Sequence, residues 1–419
     1  MERIMGIGLC LFDLDNTLLR TTDLEPFRGR DNVGVTSADY TRRLIDAAFG
    51  PLAPARHLYT QAQLTALRNQ YPGVRWGVFT RSPRHYAATL LGNAYPAFQW
   101  DVVVGYEDVR NTKPHPDGVW VAGQATGMES TDQIVLVGDE KVDVVCAYRA
   151  GCWAFVDQTT WQPREREHWW ALERLPDALF EGADELAPLL ANPGLRLPEL
   201  EYLIAGQQLE GRRRRVEKIN HFFPRTMGGG YVPIHVMGRL FGEYDDIKPR
   251  REWHALTDQI LAHKDATRFP PAWIEAIGRF VKSEAGLSRR VVVTVIPFKP
   301  GRRPRLEALL GQVEAAHVPS PRGNNFIPPS DFEFVPDILA FRPGAVSSHG
   351  NHLNAQERFA NVGDNLYVQR PDVVEGKHVI VIDDVVTTGA SLLWAHRYLT
   401  QAGASRVSCL SLAQAIGAN

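Results

Sequence analysis

Four short apolar runs rich in β-branched residues govern what this chain can fold into: residues 7–12, 134–137, 291–296 and 379–382. None alternates with polar residues, so each suits a strand buried on both faces by helices. After three of them the chain passes through Asp or Gly into a helical pattern, the βα rhythm of an open parallel sheet. The pattern occurs in both halves of 419 residues, which predicts an α/β chain of two doubly wound domains with separate cores. Pro188, Pro193, Gly194 and Pro198 mark a junction. The expected division is 1–185, a linking segment 186–218, and 219–419.

Composition narrows the class. The chain is 44% hydrophobic and 22% charged with a net charge of -2, which points to neither nucleic acid nor membrane as a partner. The apolar start meets Asp13 and Asp15 too soon for a signal peptide or a membrane span. Cys10, Cys146, Cys152 and Cys409 form no CxxC pair. They read as small core residues of a reduced, cytoplasmic protein without structural zinc. The basic run Arg212, Arg213, Arg214, Arg215 reads as a solvated helix face. Homo-oligomerisation is left open.

The first run delivers Asp13, Leu14, Asp15, Asn16 and Thr17. In a turn beyond a strand, two carboxylates can converge on one cation, and Mg²⁺ takes oxygen ligands together with a substrate phosphate. One carboxylate can then attack phosphorus while the other handles protons. Thr80, after Val78 and Phe79, offers a hydroxyl to a phosphate oxygen, and Lys113 a fixed positive charge. The 134–137 run ends in Gly138, Asp139, Glu140, Lys141, Val142 and Asp143, which brings two more acids to a strand end.

This order of elements resembles the haloacid dehalogenase-like hydrolases, whose motifs are DxDx(T/V), an apolar strand ending in Thr or Ser, a Lys, and GDxxxD. All four occur in order here. The resemblance implies Asp13 as nucleophile, Asp15 as general acid/base, Thr80 and Lys113 as phosphate binders, and Mg²⁺ among Asp13, Asp15, Asp139 and Asp143. It also implies a Rossmann-like domain with a small helical cap from the insertion between Leu19 and Arg75. Asp15 favours phosphate-ester hydrolysis, since family members that act as dehalogenases lack the second acid. Arg28, Arg30 and Asp31 read as surface charges of a loop.

The 379–382 run continues as Asp383, Asp384, Val385, Val386, Thr387, Thr388, Gly389, Ala390 and Ser391, then a helical pattern. A hydroxyl-rich turn at a helix start offers N–H groups and hydroxyls to an anion. Adjacent acids suit the two hydroxyls of a ribose. The stretch resembles the phosphoribosyl-pyrophosphate (PRPP) motif of type I phosphoribosyltransferases, and no GxxxxGK[ST] competes with it. The resemblance implies a pyrophosphate loop at Lys299, Arg302 and Arg303, and a mobile lid around 347–351. Gln356, Arg358 and Asn361 resemble the Q…R..N pattern of the competence-protein branch, although that branch's N-terminal zinc-binding cysteines are missing. His235, His254 and His263 read as ordinary surface or packed residues.

The joint expectation is a cytoplasmic, Mg²⁺-dependent bifunctional enzyme. It would transfer a 5-phosphoribosyl group from PRPP to an unidentified acceptor. It would also hydrolyse a phosphomonoester, with the 5-phosphate of its own product as the natural candidate. The alternative is a regulatory PRPP- or nucleotide-binding protein in which only the phosphatase half turns over.

Overall fold

The computed structural model describes residues 6–162, 174–207, 215–222, 231–286, 288–317, 330–343 and 355–417. The expected lid at 347–351 and Arg212 to Arg214 lie outside them.

The first half is a six-stranded parallel sheet in the order β3-β2-β1-β4-β5-β6. Its strands are β1 (Leu9–Phe12), β2 (Arg75–Phe79), β3 (Val102–Val104), β4 (Ile134–Gly138), β5 (Trp153–Asp157) and β6 (Ala178–Phe180). β1 and β4 are buried along their whole length, as runs without alternation require. Chain order reverses between them, and the crevice beyond the ends of such strands is where open α/β sheets bind ligands. The insertion forms the helices Ala38–Phe49 and Gln61–Gln70, whose Leu44, Leu64 and Leu67 join the first core.

The second half follows the same logic with seven strands: β7 (Glu217–Phe222), β8 (Tyr231–Val236), β9 (Arg239–Phe241), β10 (Arg290–Val295), β11 (Asp331–Phe334), β14 (His378–Val386) and β15 (Arg406–Ile416). The order is β11-β10-β14-β15-β8-β7, with β9 beside the end of β15. Only β7 runs antiparallel. The switch point here lies between β10 and β14. A separate pair, β12 (Leu339–Phe341) with β13 (Leu366–Val368), flanks the sheet.

The halves are less separate than expected. The helix Gly182–Ala191 buries Leu186, Leu189 and Leu190 in the first core, so that lobe runs past residue 185. Leu200 packs into the second core and Tyr202 into the first. Phe241, Ile247 and Ile416 share one apolar cluster with Leu9, Leu11 and Tyr148, so separate cores are not what forms. Polar contacts accompany this cluster. The helix Lys141–Ala150 ends at the interface, where Arg149 pairs with Asp246 at 3.1 Å and the Trp253 indole donates to Gly151 O at 3.0 Å. Gly151 has φ +77, and a Cβ there would meet Pro249 at 2.7 Å, so the approach requires glycine.

A fully buried ionic cluster lies at the same seam. Arg239 donates to both oxygens of Glu201 and to Asp177, and Arg250 also pairs with Asp177. His254 lies 3.2 Å from Glu201, so it belongs to the seam rather than to a surface. Burial pushes the Glu201 carboxyl up, but Arg239 and His254 outweigh it and hold it well below the usual range. Arg215 departs from the solvated reading: its guanidinium donates to Asp177 O at 2.6 Å and Pro176 O at 2.8 Å. The His235 ring packs at a tilt against Phe280 and His263 bonds to Gln259 O, as expected of packed residues. The four cysteines are buried and unbridged.

Candidate active sites

Asp13 follows β1, with its N–H bonded to Val137 O of β4, so it stands at the first switch point. The next residue but two is unusual: Asn16 has φ +59, a left-handed conformation that Asn tolerates. Its side chain accepts from Thr21 N and the Thr22 hydroxyl, which fixes the turn. Carboxylate oxygens of Asp13, Asp139 and Asp143 lie within 4.8 Å of one another. Gly138 permits this: a Cβ there would strike the Asp143 carboxyl at 2.2 Å. Asp143 also accepts from Glu140 N, which fixes it at the start of the helix Lys141–Ala150.

One cation meets this acidic group directly. The Lys113 ammonium is 2.7 Å from Asp13 and 2.8 Å from Asp143, and its side chain is 1% exposed. Burial raises Asp13 to about 7 despite Lys113, with Asp143 and Asp15 pushing the same way. Burial likewise pushes Asp139 well above the carboxylate range, with Asp13 and Asp143 adding to it. Three converging carboxylates, two of them paired with the Lys113 ammonium, form a donor set that suits a hard divalent cation, whose charge would reverse that push. Mg²⁺ therefore fits Asp13, Asp139 and Asp143.

Asp15 is placed differently from expectation, because its carboxylate turns away from that group into a cage of hydroxyls. It accepts from Thr21 at 2.7 Å, Ser82 at 2.5 Å, Tyr86 at 2.9 Å and Thr80 at 3.3 Å. With both oxygens engaged there, its side chain does not join the cation donors. Thr80, which donates to Asp15, also accepts from Ser82 N at 3.0 Å. Arg28 is no bystander: its guanidinium lies 3.5 Å from Asp15. Asp13, Asp15, Arg28, Thr80, Lys113 and Asp143 line one cavity of about 280 Å³. Sequence reasoning missed Ser82, Tyr86 and Thr21. Only Ser82, two residues after Thr80, left a signal.

The second site is built the same way. β10 ends before Lys299, Arg302 and Arg303, and β14 carries Asp383 and Asp384 in its last residues. Gly389 has φ +75, which turns the chain into the helix Ala390–Gln401. Thr387, Thr388, Gly389, Ala390 and Ser391 wall a pocket of about 140 Å³ together with Lys299, Arg358 and Asn361. A wider cleft of about 670 Å³ adjoins it, with Asp383, Asp384, Arg302, Arg303 and Phe298 on its walls. Burial pushes Asp383 well above its ordinary value, and Asp384 adds to this. Arg305, which sequence reasoning did not single out, pairs with Asp384.

Comparison with known proteins gives one family match in each half of the chain. The haloacid dehalogenase-like hydrolase model matches residues 60–156, downstream of Asp13 and Asp15. The phosphoribosyl transferase domain model matches residues 342–417, which include Asp383 to Ser391. Phosphoglycolate phosphatase of Escherichia coli (strain K12) is 29% identical over 154 residues, 36% of this chain and 59% of that protein. That of Salmonella paratyphi A is 28% identical over 180 residues, 43% and 69%. The chain thus spans about 59% of the length of the first of these relatives. Among solved structures, CbbY from Rhodobacter sphaeroides in complex with phosphate is 20% identical with a TM-score of 0.33, covering 44% of this chain and 96% of that one. A HAD-superfamily hydrolase from Geobacter sulfurreducens is 17% identical with a TM-score of 0.31, covering 44% and 100%. The chain therefore joins a haloacid dehalogenase-like hydrolase domain to a phosphoribosyl transferase domain.

Proposed function

We propose that the chain is a bifunctional, Mg²⁺-dependent enzyme that transfers a 5-phosphoribosyl group from PRPP to an acceptor and hydrolyses the 5-phosphate of the product. The observation that carries this reading is the presence of both sites in one body, each at the switch point of its own sheet.

In the first site Asp13 is the nucleophile. Its carboxylate attacks phosphorus while Lys113 offsets the charge of the phosphoryl oxygens. Asp15, oriented by its hydroxyl cage, gives a proton to the leaving oxygen and then takes one from the water that opens the aspartyl phosphate. Mg²⁺ held by Asp13, Asp139 and Asp143 would supply further neutralisation of the phosphate. In the second site the Thr387–Ser391 loop receives the 5-phosphate, and Asp383 and Asp384 accept from the ribose hydroxyls, the latter by exchanging its bond to Arg305. Pyrophosphate departs with the bonding electron pair towards Lys299, Arg302 and Arg303, and an acceptor nucleophile captures C1.

A second reading of the first site has its own support. A cavity of about 280 Å³ falls just below the usual range for drug-sized ligands, which favours a small phosphoester such as the one that names the phosphoglycolate phosphatase relatives. Incubation with PRPP, Mg²⁺ and a panel of bases and amines, followed by mass spectrometry, decides between the readings. Appearance of a dephosphorylated riboside, replaced by its 5-phosphate in Asp13→Asn, supports sequential action. A wild-type protein that accumulates the 5-phosphate yet turns over phosphoglycolate leaves two independent activities. Absence of any ribosylated product removes the transferase.

A further inference from the structure

The loop that starts the helix Ala390–Gln401 brings hydroxyls and N–H groups, but no cationic side chain of its own, to a ligand that arrives as a phosphate monoester. Charge comes to its pocket from elsewhere. Lys299 enters from the loop after β10, and Arg358 and Asn361 enter from the helix Ala355–Asn365. Three residues apart on a helix, Arg358 and Asn361 share one face. Val362, next to Asn361, is buried and also lines the pocket.

That helix is held firmly against the one that carries the loop. The Trp394 indole donates to Phe359 O at 2.8 Å, and the Tyr398 hydroxyl to Gly363 O at 2.5 Å. Gly363 allows the approach, since a Cβ there would lie 2.3 Å from the Trp394 ring. Trp394 stacks on Tyr398 with centroids 5.2 Å apart and meets Phe359 at 5.3 Å. Arg358 and Asn361 are therefore set on a rigid element fixed to the phosphate loop.

The charges also act on one another. Burial lowers the Lys299 ammonium below its ordinary value, and Arg302 and Arg358 push the same way against Asp383. Lys299 and Arg358 come from separate elements to one pocket of about 140 Å³, where their charges add in attracting an entering anion. A volume that small holds a single headgroup rather than a whole nucleotide.

We propose that Arg358 and Asn361 complete the 5-phosphate subsite: the Arg358 guanidinium and the Asn361 amide bind the monoester oxygens opposite the Thr387–Ser391 loop. This rests on the transferase reading and assigns a ligand-binding role to the Gln356–Arg358–Asn361 motif. Arg358 is then specific for the phosphate end of PRPP, whereas Arg302 and Arg303 serve the pyrophosphate end.

Calorimetric titration of the full-length protein with ribose 5-phosphate, Mg-pyrophosphate and PRPP separates the two ends. Arg358→Ala is expected to weaken ribose 5-phosphate by about 10- to 100-fold, the range for a charge-assisted hydrogen bond, while Mg-pyrophosphate changes less than about twofold. Asn361→Asp, which sets a negative charge against the phosphate, should show the same selectivity with its thermal midpoint kept. Unchanged ribose 5-phosphate affinity in both variants overturns the subsite while the transferase reading stands. Equal weakening of both ligands assigns Arg358 to the shape of the cleft and overturns it as well. Wild-type protein that binds neither PRPP nor ribose 5-phosphate removes the transferase reading itself.

Discussion

Asp177 is the anion on which the seam between the lobes depends. Its side chain is fully buried, and it pairs with Arg239 and Arg250 while accepting from Ala154 N at 2.8 Å. Arg250 has no other carboxylate partner among the described residues; its guanidinium stacks on Trp253 at 3.5 Å. Asp177→Asn keeps the shape and leaves two buried guanidinium groups to share Glu201, which bonds Arg239 but not Arg250. Breaking one partner of a buried ionic cluster costs about 3–5 kcal/mol. That is a large part of a total stability of about 5–15 kcal/mol. With a urea m-value of about 3 kcal/mol/M, the midpoint falls by about 1 to 1.7 M. Tryptophan fluorescence and aryl-phosphate hydrolysis, followed across the same urea series, should lose their folded signal together, since the seam joins both cores. The double variant Asp177→Asn, Arg250→Met removes the stranded charge and should recover part of the loss. A midpoint shift under about 0.3 M, or two separate transitions of which only one moves, refutes the reasoning.

Asp13→Asn should lower aryl-phosphate hydrolysis by several orders of magnitude, because an amide does not attack phosphorus; substantial residual turnover contradicts the nucleophile. EDTA should silence the phosphatase, and Mg²⁺ should restore it, whereas Asp139→Asn should raise the Mg²⁺ needed for half-maximal rate by tenfold or more, on the order expected for losing one of three carboxylate ligands. The contribution of His235 and His378 to stability should decline as pH falls from 6.5 to 4, opposed by Asp13, Asp139 and Asp383, whose raised folded values act the other way. Burial lowers His235 and His378 to about 4, so between those values the unfolded chain, with histidines near 6.5, binds the extra protons. The loss is on the order of 1–3 kcal/mol per histidine, and a His378→Asn variant whose urea midpoint changes with pH over that range just as the wild type's does contradicts it. Asp383→Asn with Asp384→Asn should abolish PRPP-dependent products and leave aryl-phosphate hydrolysis within about twofold, because the pair lies outside the first site.

The chemistry-bearing residues were legible where local sequence dictates where they go. Asp13, Asp139 and Asp383 each follow or end an apolar strand, and a parallel sheet delivers such residues to one edge. Where the decision belongs to side-chain geometry, sequence failed. Asp15 and Asp13 are two apart, yet one faces Lys113 and the other a cage assembled from Thr21, Ser82 and Tyr86. Nothing local tells Tyr86 that its hydroxyl meets a residue 71 positions earlier. Arg28 reads as a loop charge because its partner is chosen by how the insertion folds back. The same holds for Arg305 and Asp384, 79 positions apart. Arg215 shows the reverse error: a basic run suggests solvent, but carbonyl oxygens of Asp177 and Pro176 left facing it by the chain path recruit its guanidinium.

The seam also bears on why the two domains stand in one chain. Leu240, Phe241, Gly242, Glu243 and Arg251 wall the transferase cleft. Each is within a few residues of a group anchored to the other lobe: Arg239 to Asp177, Asp246 to Arg149, Arg250 to Asp177, and the Trp253 indole to Gly151 O. Two of those anchors, Asp246 to Arg149 and Trp253 to Gly151, reach the helix Lys141–Ala150 at its C-terminal end, and the first turn of the same helix holds Asp143 beside Lys113. A ten-residue helix is about 15 Å long and does not bend easily, so the phosphatase site and the transferase wall are fixed to opposite ends of one strut. A flexible tether would raise only the local concentration of an intermediate. Here the hydrolase domain supplies part of the scaffold behind the wall of the transferase cleft.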